Sequence, residues 1–284
     1  MTEIRELDVV HMGVPEAVCS FAVGEDTLVD PGPEVAHRTM LAARGEDAAP
    51  VRRILLTHIH FDHAGATGRL LQRWPDAEVW VHEKGARHLI DPERLVASAR
   101  RIYGEDFDRL WGEVIPVPEA NVRVLQGGEA IDGWRVEYTP GHAKHHVAYL
   151  HEETGTAFTG DVAGVRIGGG PTLPPTPPPD IDVELWQASI DTVAAWRPSR
   201  LAITHFGLHE DVTAQLDELR LTLARLAESA RDASPDAFAA AMRALIQERA
   251  GGDPVVVAAY DEAIRPETNH AGLARYWEQR ASST

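Results

Sequence analysis

Four side chains that can bind a metal ion lie within six residues of one another in the segment THIHFDHAG, residues 57–65. His58 and His60 follow a predicted buried strand, and side chains two residues apart in extended backbone point to the same side. Both imidazoles can therefore face one point. Asp62 and His63 come where the chain turns into a predicted helix, so they can face a second point beside the first. Imidazole and carboxylate are ligands expected for zinc or another borderline divalent ion.

Three later motifs each add one metal-binding side chain directly after a predicted strand. They are TPGH, TGD and THFG, which supply His142, Asp161 and His205. A single histidine at a strand end is more often structural, and so each motif alone is weak. Together with the first motif they give seven donors, enough for two metal ions. This convergence disfavours the alternative that these are exposed histidines, or core histidines whose hydrogen bonds are satisfied within the protein.

The elements that must position these donors follow two patterns, which change near residue 208. Before it, short apolar segments predict strands and longer ones predict two helices. The strands are at residues 7–10, 17–23, 27–30, 51–57, 78–81, 121–125, 134–139, 146–150, 157–159 and 201–204, and the helices are at 64–74 and 183–196. This mixture of hairpins and strand–helix alternation predicts sheets with helices packed outside them.

The segment after residue 208 is predicted to be almost wholly helical. Apolar residues between Val212 and Ala230 step by three and four positions, which forms one stripe of a helix. Ser234-Pro235 and Asp253-Pro254 each combine an N-cap with proline at the first helical position. We expect the stripe to pack against the main body; a homodimer contact is the alternative.

These motifs resemble those of the metallo-β-lactamase fold superfamily of metal-dependent hydrolases. THIHFDHAG matches the HxHxDH signature of that family in full, and TPGH, TGD and THFG match its later metal motifs in the right order. The segment Leu28-Val29-Asp30-Pro31-Gly32 resembles the turn that carries an outer aspartate in that family. The resemblance covers about residues 7–208.

The resemblance implies an α/β (α+β) fold, a four-layer αββα sandwich with a helical C-terminal extension. The catalytic domain would span 1–208, and the extension, 209–284, would pack on it. Two adjacent metal sites would lie at one edge of the sheets, and Asp30 would orient a ligand histidine. The implied ligands are His58, His60 and His142 for the first ion, Asp62, His63 and His205 for the second, and Asp161 as the bridge between them.

The implied activity is hydrolysis of a small ester-like bond: a thioester, lactone, lactam or carboxylic ester. A hydroxide held by two divalent ions would attack the electrophile, with zinc expected and iron or manganese as alternatives. Asp62 is a ligand that could also hold a proton during turnover. The alternative function is that of a persulfide dioxygenase, which uses one iron on the same scaffold. Diiron flavoprotein relatives usually have Glu where His60 stands, and a non-catalytic binding protein would be expected to have lost ligands.

The segment TPGHAKHH departs from the pattern TPGHTxGH of many thioesterase-like and lactonase-like members. Ala143 and His145 replace the usual Thr and Gly, whereas His146 matches the final histidine. The resemblance therefore does not carry over a glutathione-thioester or lactone specificity. We interpret His145 as a surface residue; the alternative is a group that contacts a ligand histidine or the substrate.

Composition excludes several other classes of protein. The formal net charge of −17 repels polyanions and argues against nucleic-acid binding, including the nuclease branch of the family. The single cysteine, Cys19, excludes an intramolecular disulfide and a thiolate-rich metal site. No apolar run has the length of a membrane span, and no signal peptide is visible at the start. We expect a cytoplasmic protein that acts on a small molecule.

The substrate pocket is expected to come from three segments that carry no metal motif. They are the Gly/Pro-rich stretch 164–180, the insertion 84–118 and the helical tail. The prolines stiffen the stretch, which follows the proposed bridging Asp161 and should therefore form a rigid wall over the metals. Candidate substrate contacts are Tyr103, Arg166 and His209.

Overall fold

Strands form two six-stranded sheets in the computed structural model, which describes residues 2–45 and 47–282. The strands of the first sheet lie side by side in chain order: β1 (Ile4–Asp8), β2 (Cys19–Val23), β3 (Thr27–Val29), β4 (Arg53–Leu55), β5 (Glu78–His82) and β6 (Val122–Leu125). The pairs from β1 to β3 are antiparallel, and those from β3 to β6 are parallel. The carboxyl ends of β3 and β4 therefore meet at one edge.

The second sheet has the order β12-β11-β10-β9-β8-β7. Its strands are β7 (Ala130–Ile131), β8 (Trp134–Tyr138), β9 (Val147–His151), β10 (Thr156–Phe158), β11 (Arg200–Ile203) and β12 (Gly207–His209). Only β10 and β11 pair in parallel; the other neighbours are antiparallel hairpin partners.

The α-helices flank the sheets and dominate the last quarter of the chain. They are α1 (His37–Arg44), α2 (Phe61–Ala64), α3 (Thr67–Arg73), α4 (Glu83–Ile90), α5 (Glu93–Tyr103), α6 (Phe107–Trp111), α7 (Val183–Ala195), α8 (Val212–Asp232), α9 (Pro235–Arg249), α10 (Pro254–Ala263) and α11 (Pro266–Ser282). Within the described residues, none of them is long and apolar enough to cross a membrane.

Strand periodicity divides the apolar residues between a central core and two outer cores. Trp80 in β5 and Tyr149 in β9 point between the sheets, where they share one cluster. Their neighbours Val79 and Ala148 point outward to the helices on opposite faces of the molecule. Because alternate residues serve different layers, both sheets are buried on both faces. The expected four-layer αββα sandwich with a helical C-terminal region is confirmed.

The helices after residue 208 share one apolar core with the outer face of the second sheet. Leu219 and Leu223 of α8, Met242 of α9 and Leu273 of α11 belong to the same cluster as Ile203 of β11. The expected packing of the apolar stripe on the main body is therefore confirmed. The division at residue 208 and the homodimer contact stay predictions.

Each predicted strand is present, with ends that differ by at most three residues. The predicted helix at 64–74 is wrong in its bounds, because α2 begins at Phe61 and the chain breaks at Gly65 and Ala66 before α3. A Cβ at Gly65 would lie 3.1 Å from the backbone of Pro33 and Glu34. The chain therefore packs closely against residues 33 and 34 at the point where the helix is interrupted. The short strands β7 and β12 were not predicted, since two or three residues carry too little periodicity.

The stretch 164–180 is pinned beneath the C-terminal helices rather than lying free on the surface. Asn269 of α11, which is buried, accepts a hydrogen bond from the backbone N–H of Thr176 at 2.9 Å and donates one to the Pro174 carbonyl at 3.1 Å. The Tyr260 hydroxyl of α10 donates to the Pro171 carbonyl at 2.6 Å. A proline-rich segment lacks the N–H groups to form regular structure, so side chains of the tail take over its backbone pairing.

We predict that Asn269→Ala lowers the free energy of unfolding by about 2–4 kcal/mol, because the N–H of Thr176 and the carbonyl of Pro174 would be left buried without partners. Urea unfolding followed by far-ultraviolet circular dichroism measures the change. The control is Glu278→Ala on the exposed face of the same helix, which should stay within about 0.5 kcal/mol of the wild type. Equal stability of the two variants would contradict the assigned role of Asn269.

Candidate metal centre

The first motif leaves the end of β4 in extended backbone and then turns into α2. His60 is extended, with φ −63° and ψ 152°, and α2 begins at the next residue. As expected from the spacing, His58 and His60 point to the same side, with His58 Nε2 2.9 Å from His60 Nδ1. Asp62 and His63 lie in the first turn of α2 and face the adjacent point.

The other three donors each follow a strand of the second sheet. His142 comes after β8, Asp161 lies in a 3₁₀ turn after β10, and His205 follows β11. Gly160, which has φ 46°, lets the turn with Asp161 approach the first sheet closely, since a Cβ there would collide with Thr57 and lie 3.1 Å from His146 Nε2. The two sheets thus bring their donors to one shared edge.

The structure brings all seven predicted donors together in two adjacent groups. Within each group, the ligand atoms lie within 4.8 Å of one another. Asp161 lies between the groups: its Oδ2 is 3.2 Å from His142 Nε2, and its Oδ1 is 3.3 Å from His63 Nε2. The first group contains His58, His60, His142 and Asp161, and the second contains Asp62, His63 and His205.

Hydrogen bonds from the outside fix the ring orientation of two histidines in these groups. His63 Nδ1 donates to Asp30 Oδ2 at 2.9 Å, and His205 Nδ1 donates to the carbonyl of Ala17 at 2.6 Å. The expected contact between Asp30 and a candidate ligand histidine is confirmed. Because the hydrogen sits on Nδ1, each Nε2 presents a lone pair to the centre.

His142 and His58 are oriented in the same way. His142 Nδ1 donates to the carbonyl of Pro175 at 2.8 Å. The Thr57 hydroxyl donates to Asp30 at 2.7 Å and can therefore accept from His58 Nδ1 at 3.1 Å. Both Nε2 atoms then face His60 Nδ1, at 2.9 and 3.0 Å.

These contacts are what a divalent cation would require and are unfavourable without one. The Nε2 atoms of His58 and His142 lie at hydrogen-bond distance from His60 Nδ1. However, the hydrogens of His58 and His142 are on Nδ1, where they bond to outer groups. Their Nε2 lone pairs therefore point toward His60 without a hydrogen of their own between them. Among the described residues, His63 Nε2 and Asp161 Oδ1 are buried and have no hydrogen-bond partner. Buried polar atoms are normally paired, and a cation shared by these nitrogens and oxygens satisfies them. The residues present therefore fit a divalent metal.

Burial and neighbouring charges set the protonation of the centre. Burial, with the charge of His142, lowers the pKa of His60 to about 4. Burial opposes charge on His63 as well, but Asp161 and Asp62 outweigh it and raise the pKa of His63. Burial would raise the pKa of Asp161, yet His63 and His142 hold it well below its usual range. Ionised carboxylates beside the neutral imidazole of His60 form an environment that favours a cation.

A cavity of about 320 Å³ opens onto the candidate metal centre. His60, Asp62, Asp161 and His205 lie on its floor. The three segments expected to wall the pocket all contribute: the end of the proline-rich stretch, the insertion between β5 and β6, and the tail. Their lining residues include Pro175, Pro177, Pro178, Pro179, Arg94, Leu95, Ile102, Tyr103, Trp111, Glu262, Ile264 and Arg265.

The interpretation of His145 as a surface residue is wrong. Its side chain lines the cavity, with the ring 5.6 Å from that of His60 and 6.0 Å from that of His58. Its Nδ1 accepts a long hydrogen bond of 3.4 Å from the Ile59 N–H, so its Nε2 carries the hydrogen. A Cβ at Gly85 would lie 3.4 Å from the His145 Cβ; α4 therefore packs closely against this residue. The sequence showed the substitution but not this packing.

Of the three residues expected to contact substrate, only Tyr103 lines the cavity. Arg166 lies outside it and binds Asp211 through Nη1 at 2.7 Å. His209 is also outside, with Nε2 2.9 Å from the carbonyl of Phe206. Arg94 and Arg265 also line the cavity. They stand in the insertion and between α10 and α11, where no local sequence pattern marks a residue as facing a cavity.

Comparisons with known proteins agree with this geometry. The model of the metallo-beta-lactamase superfamily matches residues 18–205. A metallo-beta-lactamase fold-containing protein of Sulfurisphaera tokodaii is 33% identical over 162 residues, which are 55% of this chain and 60% of that relative. A hydroxyacylglutathione hydrolase of Xanthomonas euvesicatoria pv. vesicatoria is 30% identical over 68% of this chain and 64% of its own length. The matches thus span less than two thirds of these relatives.

The likeness in structure extends over nearly the whole chain. The crystal structure of an archaeal metallo-beta-lactamase superfamily protein from Sulfolobus tokodaii superposes with a TM-score of 0.69 and 24% identity. The superposition covers 96% of this chain and 98% of that one, and so includes the C-terminal helices. With its family model, its four-layer fold and its His/Asp cluster, the chain belongs to the metallo-β-lactamase superfamily.

Proposed function

We propose that this protein is a metal-dependent hydrolase that cleaves a small ester-like bond: a thioester, lactone, lactam or carboxylic ester. The observation that carries the proposal is the convergence of seven imidazole and carboxylate donors beside a cavity. Two of the donors have buried unpaired atoms, and four of the seven line the cavity floor. Membership of the family supports hydrolysis as the general chemistry. The likeness to a hydroxyacylglutathione hydrolase supports a thioester within that class.

The proposed ligands divide between two divalent ions, for which zinc is expected and iron or manganese are alternatives. When bound, such a pair lowers the pKa of water to near neutrality and stabilises negative charge that develops on the scissile carbonyl oxygen. His58, His60 and His142 would hold one ion, Asp62, His63 and His205 the other, and Asp161 both.

The residues of the chain supply orientation and a site for a proton. Asp62 is the more exposed of the two candidate carboxylate ligands, with its side chain 22% exposed against 4% for Asp161. Its Oδ2 lies 3.4 Å from His205 Nε2, and the carboxylate lines the cavity. Asp62 is therefore placed to hold a proton during turnover beside the scissile bond. The outer contacts of Asp30 keep His63 oriented.

The proposed setting is a small-molecule enzyme of the cytoplasm, without nucleic-acid or membrane partners. Its cavity is near the lower end of the range for small-molecule sites, roughly 300–1,000 Å³. The only cysteine, Cys19, is buried and unpaired, so the chain has no need of an oxidising compartment. A homodimer remains part of the proposal.

We predict two divalent metal ions per chain when the protein is purified without chelator. Elemental analysis by inductively coupled plasma mass spectrometry measures the stoichiometry, and a panel of esters, thioesters and lactones tests hydrolysis by the same sample. Chelation followed by zinc should remove and restore the activity. One iron per chain with oxygen uptake on a persulfide would instead establish the dioxygenase.

Asp62→Asn is expected to lower kcat by at least about 100-fold, because the amide cannot hold the proton and is a weaker ligand. Circular dichroism should show an unchanged fold, since Asp62 lies at the cavity rather than in an apolar core. The matched control is Asp217→Asn, an exposed carboxylate on α8 that pairs with Arg220. Near-normal turnover of Asp62→Asn with metal bound would contradict the proposed site.

His145→Gly, which restores the residue usual in thioesterase-like members, is expected to lower kcat/KM by about threefold to tenfold, the value of one neutral hydrogen bond. The reason is loss of the Nε2–H donor at the cavity wall. His145→Gln, which keeps a donor, should recover part of the activity while metal content stays constant in both variants. If both variants match the wild type, His145 only fills space.

A further inference from the structure

Two arginine side chains stand on the walls of the cavity beside the metal centre. Arg94 and Arg265 both line it, and neither has an ion-pair partner within the described parts of the chain. The acids that line the same cavity contact other groups. Asp62 and Asp161 face the candidate ligands His205 and His142, Glu262 lies 3.1 Å from His11 Nδ1, and Asp180 lies 3.1 Å from Lys144 Nζ. In a chain with a net charge of −17, two uncompensated guanidinium groups in one cavity indicate an anionic ligand.

Arg265 is the deeper of the two and is held by its backbone. It is half-buried, whereas Arg94 is exposed at the rim. Arg265 lies between α10 and α11, and its carbonyl accepts the N–H of Asn269 at 3.0 Å. The Asn269 side chain is in turn bonded to the proline-rich wall. Because its backbone is tied into α11, Arg265 loses side-chain but little backbone entropy when it binds a ligand.

Tyr103 provides a second donor in the same cavity as Arg265. Its side chain lines the cavity, and its hydroxyl has no hydrogen-bond partner among the described residues. Its ring packs edge-on against Trp111 at 5.3 Å. Burial, and next the charge of Asp62, raise the pKa of Tyr103 to about 12, while Arg265 acts in the opposite direction. The phenol is therefore a protonated donor at neutral pH, within electrostatic range of both the metal centre and Arg265.

A guanidinium and a phenolic O–H in one cavity match a carboxylate, whose two oxygens accept the paired N–H groups of arginine. The remaining wall is largely apolar, with Leu95, Ile102 and Ile264 among its residues, and suits a hydrocarbon linker. We infer that the substrate is an ester or thioester that carries a second, distant carboxylate, which Arg265 and Tyr103 bind while the scissile bond lies at the metal centre. This inference rests on the proposed function, and it adds the substrate class.

Matched chromogenic esters test the inference. The anionic probes are the mono-4-nitrophenyl esters of adipic and suberic acid, and the neutral ones are 4-nitrophenyl hexanoate and octanoate, which have the same chain lengths. The wild type should show a lower KM for at least one anionic ester than for its neutral partner. Arg265→Gln should raise that KM about tenfold or more, the value of a charged hydrogen bond, and change the neutral KM less than about twofold.

Two further variants test whether the effect depends on the charge and paired donors of Arg265 or on any loss of an arginine nearby. Arg265→Lys keeps the charge but not the paired donors, and should fall between wild type and Arg265→Gln. Arg101→Gln removes an exposed arginine of the same helix as Tyr103 that does not line the cavity, and should leave both classes of ester unaffected. Equal effects of Arg265→Gln on anionic and neutral esters would overturn the inference and leave the proposed hydrolysis standing.

Binding without turnover provides an independent measurement. Isothermal titration of adipate and the neutral hexanamide into the metal-loaded wild type should show tighter binding of adipate, and this preference should disappear in Arg265→Gln. If no ester is cleaved while the preference persists, the proposed hydrolysis fails and the carboxylate site stands. No preference for adipate, or tighter Arg265-dependent binding of inorganic phosphate than of adipate, would overturn the carboxylate assignment.

Discussion

One buried carboxylate joins the two sheets at the edge where the candidate ligands meet. Asp30, which is 1% exposed, accepts hydrogen bonds from the Thr57 N–H and hydroxyl, from His63 Nδ1 and from the Thr204 hydroxyl. Thr57 follows β4 in the first sheet and Thr204 follows β11 in the second. A buried charge is tolerated only when it is paired or hydrogen-bonded. These four contacts therefore fix the strand ends relative to each other, and with them the histidines that both ends carry.

The C-terminal helices act on the site through the proline-rich stretch. Asn269 holds the backbone at Pro174 and Thr176, and the carbonyl of the intervening Pro175 orients His142. The same stretch then continues as the cavity wall. Helix packing in the tail, orientation of a candidate ligand and shape of the cavity are thus parts of one connected arrangement. A change in the tail can alter substrate binding without touching a metal-binding side chain.

Charge is distributed unevenly between the floor and the walls of the cavity. At the floor, the neighbouring histidines, His63 first, outweigh the effect of burial and hold the pKa values of Asp62 and Asp161 below their usual range. At the wall, Glu262 contacts His11, Asp180 pairs with Lys144, and Arg265 has no ion-pair partner among the described residues. The floor therefore suits cations and the wall suits an anion. This separation follows from side chains on several different elements and cannot be seen in the total charge of the chain.

The sequence by itself determined most of the strands and the identity and order of the candidate ligands. Short apolar runs mark residues 78–81 and the other predicted strands, and short motifs directly after strands supply the donors. Both signals are local. Tertiary structure alone decided which distant residues share the cavity. His145 was placed at the surface by its sequence context, yet α4 packs against it and leaves it facing the cavity. Arg265 is far in sequence from Tyr103, and only packing of the tail against the insertion brings both to one cavity. Such contacts depend on how whole layers stack, which no local pattern encodes.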